Sequence, residues 1–321
     1  MATEDRVAGR YLPIPLESLC LKTVTSFKIY ILTHKEREPV LYRAGNLPFT
    51  EDVRSRLLDH DVERIYIDIT DERNYRDYIE QNLDKIVADD SIESSKKTQI
   101  VYSSATYLAR QLLESPWMRD GIRRSETLVK STLDFVLRDE AAFSGFLAVR
   151  SHDYYTYTHC VNVCVFCVAL ARKVGVEEMS ELLVLGTGAL LHDIGKSSID
   201  KSILNKKGPL TEEEWVIMKR HPVRGVEILR EAGGVPDGSY AVVYQHHERC
   251  NGSGYPEGLP GEKIHRYGKL AGIVDVFDAM TTKRVYKDAV DSFTAFLTMK
   301  NEMCDGLDMD IFREFVKLMA R

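Results

Sequence analysis

One short run near the middle of the chain combines a metal-binding side chain with a carboxylate. His192 and Asp193 are adjacent, and Gly195 and Lys196 follow them. A buried charge must be paired or must coordinate a metal, so a His-Asp pair at the end of an apolar stretch is a candidate metal site. Because adjacent His and Asp also occur by chance, further donors are needed. The chain supplies them at His159, His221, His246, His247 and Asp275.

These seven donors are imidazoles and carboxylates without a thiolate, a set that suits iron, manganese or zinc. Asp193 can use both of its carboxylate oxygens, so it is the candidate bridge between two ions. Two ions about 3.5–4 Å apart can hold a bridging water, lower its pKa toward neutrality and aim it at phosphorus. The donor set therefore predicts hydrolysis of a phosphate ester, with Asp193 and Lys196 as the candidate catalytic residues.

Taken singly, a histidine in a helical domain is more often a hydrogen-bonded core or surface residue than a ligand. The five histidines among the seven candidate donors differ, because each lies at a predicted start, end or break of a helix. Asp278 has two interpretations, an outer residue that orients a ligand or a charge on a helix surface. The histidines that stay in the ordinary class are His34, His60, His152 and His265.

A glycine-rich loop follows the histidine doublet. Gly252, Gly254 and Gly258, together with Pro256, predict a sharply bent segment. Because it starts directly after two candidate ligands, we expect it at the mouth of the site. There Tyr255 can stack on a base and backbone amides can meet phosphate oxygens. The candidate substrate-binding residues are Lys196, Gly254, Tyr255, Pro256, Arg284 and Lys287.

Strand and helix patterns alternate over residues 1–90. Strands are predicted at 27–32, 40–43 and 64–69, and helices from Thr50 and over 74–87, which makes a small α+β module. Asp68 lies near a strand end, as the phosphate acceptor of a receiver domain would. The first strand lacks a following acidic pair and the helices are too few, so a solvated strand end is the favoured interpretation.

Residues 91–140 are predicted to be a helical linker. Its apolar stripe, which recurs at helical spacing, either packs within the same chain or forms the stalk of a homodimer, and the pattern does not choose between them. From 141 to 321 the pattern is helical throughout, with a capping box at Thr211 and a helix break at His221-Pro222. The stripe consists of Val101, Ala105, Leu108 and Leu112.

Composition restricts the partners and the location. A chain of 321 residues with net charge −6 argues against polymeric nucleic acid as a partner. The N-terminus lacks the apolar core of a signal peptide, and the longest apolar run is about half of a membrane span. We therefore expect no membrane span and a cytoplasmic location. Cys160, Cys164 and Cys167 match an iron–sulfur spacing, but their i, i+4, i+7 pattern among apolar residues favours a buried helix stripe.

The ordered motifs over about residues 150–290 resemble the HD-GYP family, phosphodiesterases of cyclic di-GMP within the HD phosphohydrolase superfamily. The resemblance implies an all-α HD-type domain with two or three metal ions, commonly iron or manganese. It also implies cleavage of cyclic di-GMP to linear pGpG, often onward to GMP. On matching positions it makes the seven donors ligands and Lys196, Arg284 and Lys287 phosphate contacts. The matching stretches are 192–196, 203–215, 221–225, 246–248, 252–256, 275–279 and 284–286.

Four positions depart from the family pattern. Trimetallic members carry a glutamate where this chain has Tyr155, so we expect two metal ions and inefficient cleavage through to GMP. Asn251 replaces an aspartate, which keeps the turn and loses the charge. Lys269 replaces an arginine and Val285 a proline. None of the four changes removes a donor of the two-metal core.

Three functions remain open at this point. The leading one is a metal-dependent phosphodiesterase that hydrolyses cyclic di-GMP. The second is a signalling module that binds cyclic di-GMP with little turnover. The third is an HD phosphohydrolase that acts on nucleotides or on related cyclic dinucleotides, against which the Gly254-Tyr255-Pro256 loop argues.

Overall fold

The computed structural model describes residues 9–32, 38–62, 64–118, 120–149, 156–283 and 289–320. The chain divides into two units, Met1–Ser104 and Ala105–Arg321. Helix α3 (Ser94–Glu114) runs through this boundary. The predicted domain limits at residues 90 and 140 stay predictions.

A four-stranded antiparallel sheet forms the centre of the first unit. Its strand order is β1-β6-β3-β4, and β2 pairs separately with β5. Ile29, Ile65 and Ile67 are fully buried, and Tyr75 and Tyr78 lie edge-on against Phe27 with ring centroids 5.6 Å apart. The bounds are β1 (Tyr11–Pro15), β2 (Thr23–Thr25), β3 (Ile29–Ile31), β4 (Val40–Arg43), β5 (Leu47–Phe49), β6 (Arg64–Asp68), α1 (Glu51–Leu58) and α2 (Glu72–Ala88).

The sequence patterns predict half of these strands. The predictions at 27–32, 40–43 and 64–69 correspond to β3, β4 and β6, and both predicted helices are present. The patterns do not predict β1, β2 and β5. Prolines in β1 and β5 weaken the strand signal, and β2 has only three residues.

Asp68 has a structural role in this unit. Its carboxylate accepts hydrogen bonds from the Thr70 amide at 3.0 Å and from Arg10 Nε at 2.7 Å. The Thr70 amide and then the Arg10 guanidinium lower the pKa of Asp68 to about 2. The sheet is antiparallel, unlike the doubly wound parallel sheet of a receiver domain, so the sequence-based rejection of that interpretation holds.

The apolar stripe of the linker is buried. Val101, Ala105, Leu108 and Leu112 are each at most 4% exposed within the single chain. The helix is interrupted at Ser115-Pro116 as predicted, because α3 ends at Glu114 and α4 (Gly121–Arg138) begins beyond it. This burial favours packing within the chain, and a homodimer stays a prediction.

The remaining helices make the rest of the chain all-α, which confirms the predicted fold class. Helix α6 packs against α7, and α12 packs on both α6 and α11. Cys160, Cys164 and Cys167 on α6 are free and buried, as the stripe predicts. The bounds are α5 (Glu140–Val149), α6 (Thr156–Lys173), α7 (Met179–Leu191), α8 (Lys201–Leu204), α9 (Glu212–Met218), α10 (His221–Ala232), α11 (Asp237–Gln245), α12 (Arg266–Thr281), α13 (Ser292–Glu302) and α14 (Met309–Met319).

Within the described residues, no helix has both the length and the apolar character needed to cross a membrane.

Candidate metal centre

Helix ends bring the seven predicted donors to one place. His159 lies in the first turn of α6, His192 and Asp193 directly follow α7, and His221 is the first residue of α10. His246 and His247 follow α11, and Asp275 lies in the interior of α12. Most of the donors are deeply buried. Asp275 is 7% exposed, the His247 side chain is 16% exposed, and each of the other five is at most 1% exposed.

The donor atoms form two groups. His159, His192 and Asp275 offer atoms that all lie within 4.8 Å of one another, and so do Asp193, His221, His246 and His247. Asp193 belongs to the second group and also faces the first. Its Oδ1 is 3.3 Å from His221 Nε2, while its Oδ2 is 3.5 Å from His192 Nε2. One carboxylate therefore lies between the two groups.

Backbone carbonyls define which ring nitrogen of each histidine carries its proton. The Nδ1 atoms of His192, His221 and His246 lie 2.7, 2.8 and 2.9 Å from the carbonyl oxygens of Ala189, Met218 and Val243. Because a carbonyl only accepts, each Nδ1 donates, and the Nε2 of the neutral ring carries a lone pair. Each Nε2 therefore faces the centre as a donor for a cation.

Two of these lone pairs face each other. His221 Nε2 and His246 Nε2 are 3.2 Å apart. Two neutral acceptors cannot share a hydrogen bond, so this approach is favourable only with a cation between them or with an added proton. The buried Asp193 Oδ1 has no hydrogen-bond partner among the described residues. Both observations fit a bound metal ion.

Burial favours the neutral form of four of the five imidazoles. It lowers the pKa of His221 to about 4, and it lowers the pKa of His192, His246 and His247 as well. Neutral imidazole is the form that binds metal ions.

The carboxylates remain anionic. Burial alone would raise the pKa of Asp193, but the ammonium of Lys196 and the nearby imidazoles hold it well below its ordinary value. Burial acts in the same direction on Asp275, where the hydrogen bond from His159 and the other histidines hold the pKa well below 3.8. Neutral imidazoles around two carboxylates suit divalent transition metals.

Asp278 orients His159 from behind. Its Oδ2 lies 2.7 Å from His159 Nδ1, and its Oδ1 accepts a hydrogen bond from Asn162 Nδ2 at 2.9 Å. Asp278 is fully buried, so it is a partner that orients the His159 ring and not a surface charge. Sequence reasoning missed Asn162. Its spacing of three residues from His159 on α6 was the signal available.

The glycine-rich loop closes over the second group. The Tyr255 ring stacks on His247, with centroids 4.6 Å apart and an interplanar angle of 30°. Its amide donates to the His247 carbonyl at 3.2 Å. Gly254 passes so close to the preceding helix end that a Cβ there would lie 2.3 Å from the Arg249 amide nitrogen. Pro256 follows Tyr255 in the same loop, so the predicted loop lies at the centre.

Glu248 anchors this loop, and sequence reasoning missed its role. It is 4% exposed, and its two carboxylate oxygens each accept an amide hydrogen bond at 2.8 Å, from Glu257 and from Leu259. Asn251 keeps the turn as predicted, because its Oδ1 accepts from the amide and hydroxyl of Ser253. A glutamate directly after a His-His pair and before a glycine-rich loop was the available signal.

Lys196 lies beside Asp193. Its Nζ is 2.5 Å from Asp193 Oδ2, and its side chain is 13% exposed. Position 195 requires glycine, because a Cβ there would lie 2.0 Å from the His221 carbonyl oxygen at the start of α10. The predicted residues Arg284 and Lys287 lie outside the described residues, as does Tyr155. The roles assigned to all the site residues stay predictions.

Comparison with known families finds a match to the helical part of the chain. A family model described as "HD domain" matches residues 147–311. The solved structure of an HDG"Y"P protein from Bdellovibrio bacteriovorus superposes with a TM-score of 0.67, covering 97% of this chain and 100% of that one at 20% identity. At that identity the likeness concerns the fold, an N-terminal sheet module followed by a helical domain.

Two proteins that are similar to this chain in sequence carry names that state an activity. A cyclic di-GMP phosphodiesterase of Pseudomonas aeruginosa is 39% identical over 187 residues, 58% of this chain and 44% of that protein. A 3'3'-cGAMP-specific phosphodiesterase of Vibrio cholerae is 41% identical over 142 residues, 44% of this chain and 27% of that protein. The chain thus spans less than half the length of these two relatives.

The HD match covers just over half of the chain and includes all seven donors. The chain belongs to the HD domain family.

Proposed function

We propose that this protein is a metal-dependent phosphodiesterase that hydrolyses cyclic di-GMP to linear pGpG, with further cleavage to GMP left open. The observation that carries the proposal is the position of Asp193, whose two oxygens face two separate sets of donors. The resemblance to named cyclic di-GMP phosphodiesterases supports the substrate.

Two divalent ions, iron or manganese, are the proposed cofactors. His159, His192 and Asp275 would hold one, His221, His246 and His247 the other, and Asp193 both. When bound, such ions lower the pKa of water and stabilise negative charge on a phosphate. Imidazole and carboxylate donors suit iron or manganese. The Cys160 Sγ also lies within 4.8 Å of donor atoms of His192 and Asp193, but burial raises the pKa of this thiol well above its ordinary value, which disfavours the thiolate form.

The chain's own residues supply orientation and charge. Asp278 holds the His159 ring with its Nε2 toward the centre, and backbone carbonyls do the same for three other histidines. Lys196 places a cation at the Asp193 carboxylate, where it can contact a substrate phosphate. Tyr255 covers His247 at the loop. Arg284 and Lys287 are proposed as further phosphate contacts on the strength of the family resemblance.

The test combines metal analysis with product analysis. Protein purified anaerobically should contain close to two ions of iron or manganese per chain. It should convert cyclic di-GMP to pGpG, as seen by chromatography, and should do so faster than 3'3'-cGAMP. Asp200→Asn, at an exposed helix cap, serves as the matched control for Asp193→Asn.

Binding of cyclic di-GMP without metal-dependent product would favour the signalling module instead. Preferred cleavage of 3'3'-cGAMP would keep the chemistry and change the substrate. One ion per chain would contradict the bimetallic arrangement.

A further inference from the structure

Helix α9 presents two exposed side chains on one face near the glycine-rich loop. The Lys219 amide donates to the Trp215 carbonyl at 2.9 Å, so the α-helical pattern continues through Lys219. Residues four apart in such a helix are neighbours on its surface. Trp215 is 47% exposed, and Lys219 is exposed. We name this pair, Trp215 and Lys219, the α9 ledge.

The α9 ledge is continuous with the metal centre. Lys219 Nζ lies 5.9 Å from the centroid of the Tyr255 ring, within the range of a cation–π contact. Tyr255 in turn stacks on His247, one of the seven donors. The ledge is therefore separated from the centre by a single aromatic ring.

The charge of Lys219 is available for a ligand. Among the described residues, no carboxylate lies within ion-pair distance of its ammonium, whereas Lys196 and Lys206 are paired with Asp193 and Glu214. An exposed ammonium beside an exposed indole offers a positive charge for a phosphate and a flat face for a base.

We propose that the α9 ledge binds the nucleotide of a cyclic dinucleotide that is not being cleaved. Its base stacks on the Trp215 indole, and its phosphate pairs with the Lys219 ammonium. This inference rests on the proposed function. A cyclic dinucleotide has two phosphates, and while one is at the metal centre the other nucleotide must lie at the rim of the site. The ledge is the exposed cation and aromatic pair that adjoins Tyr255 there.

Kinetics with two substrates test the ledge. Bis(p-nitrophenyl) phosphate has one phosphate and no nucleobase, so it can use the centre without the ledge. Trp215→Ala and Lys219→Gln should each raise KM for cyclic di-GMP at least about fivefold, given the strength of base–aromatic stacking and of phosphate contacts. Turnover of the small diester, and kcat for cyclic di-GMP, should stay within about twofold of wild type, because such contacts act on binding.

Matched variants separate the ledge from general effects on α9. Trp215→Phe and Lys219→Arg should retain most of the wild-type affinity, since they keep the ring and the charge. Val216→Ala changes an apolar side chain that is 56% exposed and lies one position from Trp215, a spacing at which helical residues do not face each other. Lys300→Gln removes the same charge from α13, which contributes no donor to the centre. Both should behave as wild type.

A fluorescence titration gives a readout that does not depend on turnover. The chain has two tryptophans, Trp117 and Trp215, so Trp117→Phe leaves Trp215 as the sole indole. A phosphorothioate analogue of cyclic di-GMP that resists hydrolysis should quench its emission to saturation. Lys219→Gln in this background should shift the midpoint to at least about fivefold higher concentration.

The outcomes separate the inference from the proposed function. If wild type cleaves cyclic di-GMP but the ledge variants match Val216→Ala and Lys300→Gln, the ledge inference alone fails. It also fails if calorimetry shows the analogue binding while Trp215 emission stays constant. If wild type neither binds nor cleaves cyclic di-GMP, the proposed function fails and the inference with it.

Discussion

Asp193 directs its two carboxylate oxygens to different histidines, and this geometry sets the demands on the residue. His221 lies 3.3 Å from one oxygen, and His192 lies 3.5 Å from the other. An amide has the same shape but only one oxygen and no charge. It cannot serve both groups of donors.

Asp193→Asn should abolish turnover while leaving the helical fold intact. Loss of the several kcal/mol of charge stabilisation that metal ions provide lowers kcat at least about 1,000-fold. Metal content, measured by elemental analysis, should fall in parallel, and the circular dichroism spectrum should not change. Asp200→Asn is the control with wild-type behaviour. Full metal content together with full activity in Asp193→Asn would refute the bridging role.

Asp278→Asn tests an outer residue in the same way. Asp278 binds His159 Nδ1 and accepts from Asn162, and both bonds depend on its two oxygens. Its replacement should weaken metal affinity about 10- to 100-fold, the range for partners of a ligating histidine. Competition with a chromogenic chelator measures this affinity. Asp310→Asn, whose side chain is 88% exposed, should leave the affinity unchanged. An equal affinity in both variants would mean that Asp278 only fills space.

At the scale of elements, the centre depends on short distances between helix ends. Gly195 approaches the start of α10 so closely that a Cβ would overlap the His221 carbonyl. Gly225 allows a second close approach, between α10 and α11, since a Cβ there would lie 2.8 Å from Val243. Small residues at these points let α7, α10 and α11 direct their end residues into one space. The loop after α11 is held by a different device, the carboxylate of Glu248.

Glu248→Gln should displace the loop without emptying the metal centre. Both oxygens of Glu248 accept backbone amides, and a glutamine offers only one acceptor there. Loss of one charge-assisted hydrogen bond, about 1.5–3 kcal/mol, should raise KM for cyclic di-GMP about tenfold or more. Metal content should remain that of wild type.

Glu257→Gln changes an exposed carboxylate in the same loop and should have little effect on KM. If Glu248→Gln instead lost its metal ions with KM unchanged, the anchoring role assigned to Glu248 would be wrong.

For the whole molecule, the buried histidines link stability to pH when metal is absent. Burial lowers the pKa of His221 from 6.5 to about 4, and lowers the pKa of His192, His246 and His247. Below pH 6.5 the unfolded chain binds protons that the folded chain does not. The free energy of unfolding therefore falls as the pH is lowered from 6.5 toward 4, by about 1.4 kcal/mol per pH unit for His221, and the other three histidines add to this loss.

Urea denaturation of chelator-treated protein at a series of pH values measures this slope. Below pH 3.8 the carboxylates Asp193 and Asp275 add a further loss, because their folded-state pKa lies below that value. The variant His60→Gln removes an exposed histidine and should leave the slope unchanged. A flat profile between pH 6.5 and 4 would mean that the imidazoles are already protonated in the metal-free fold.

The seven candidate donors could be predicted from the amino-acid sequence, because residue types and the starts, ends and breaks of helices can be read locally along the chain. The sequence also predicted that the chain is helical from 141 onward, with a capping box at Thr211 and a helix break at His221-Pro222, because such patterns can be read along the chain. Three of the six strands, β1, β2 and β5, were not predicted from the sequence. They are short or contain proline, and they are stabilised by partners distant in sequence. The stripe at 101–112 was ambiguous for the same reason, as periodicity does not identify the partner surface.

Which of the donor side chains lie together depends on the tertiary structure. Asp193 lies between two groups because α6, α7, α10, α11 and α12 pack together, and no spacing encodes that division. The structure shows that Asp278 is a buried partner of His159 and not a surface charge, and that Glu248 anchors the glycine-rich loop. These contacts join residues that are about ten to more than a hundred positions apart in the sequence. They form only when the chain packs in three dimensions, so local sequence patterns do not predict them.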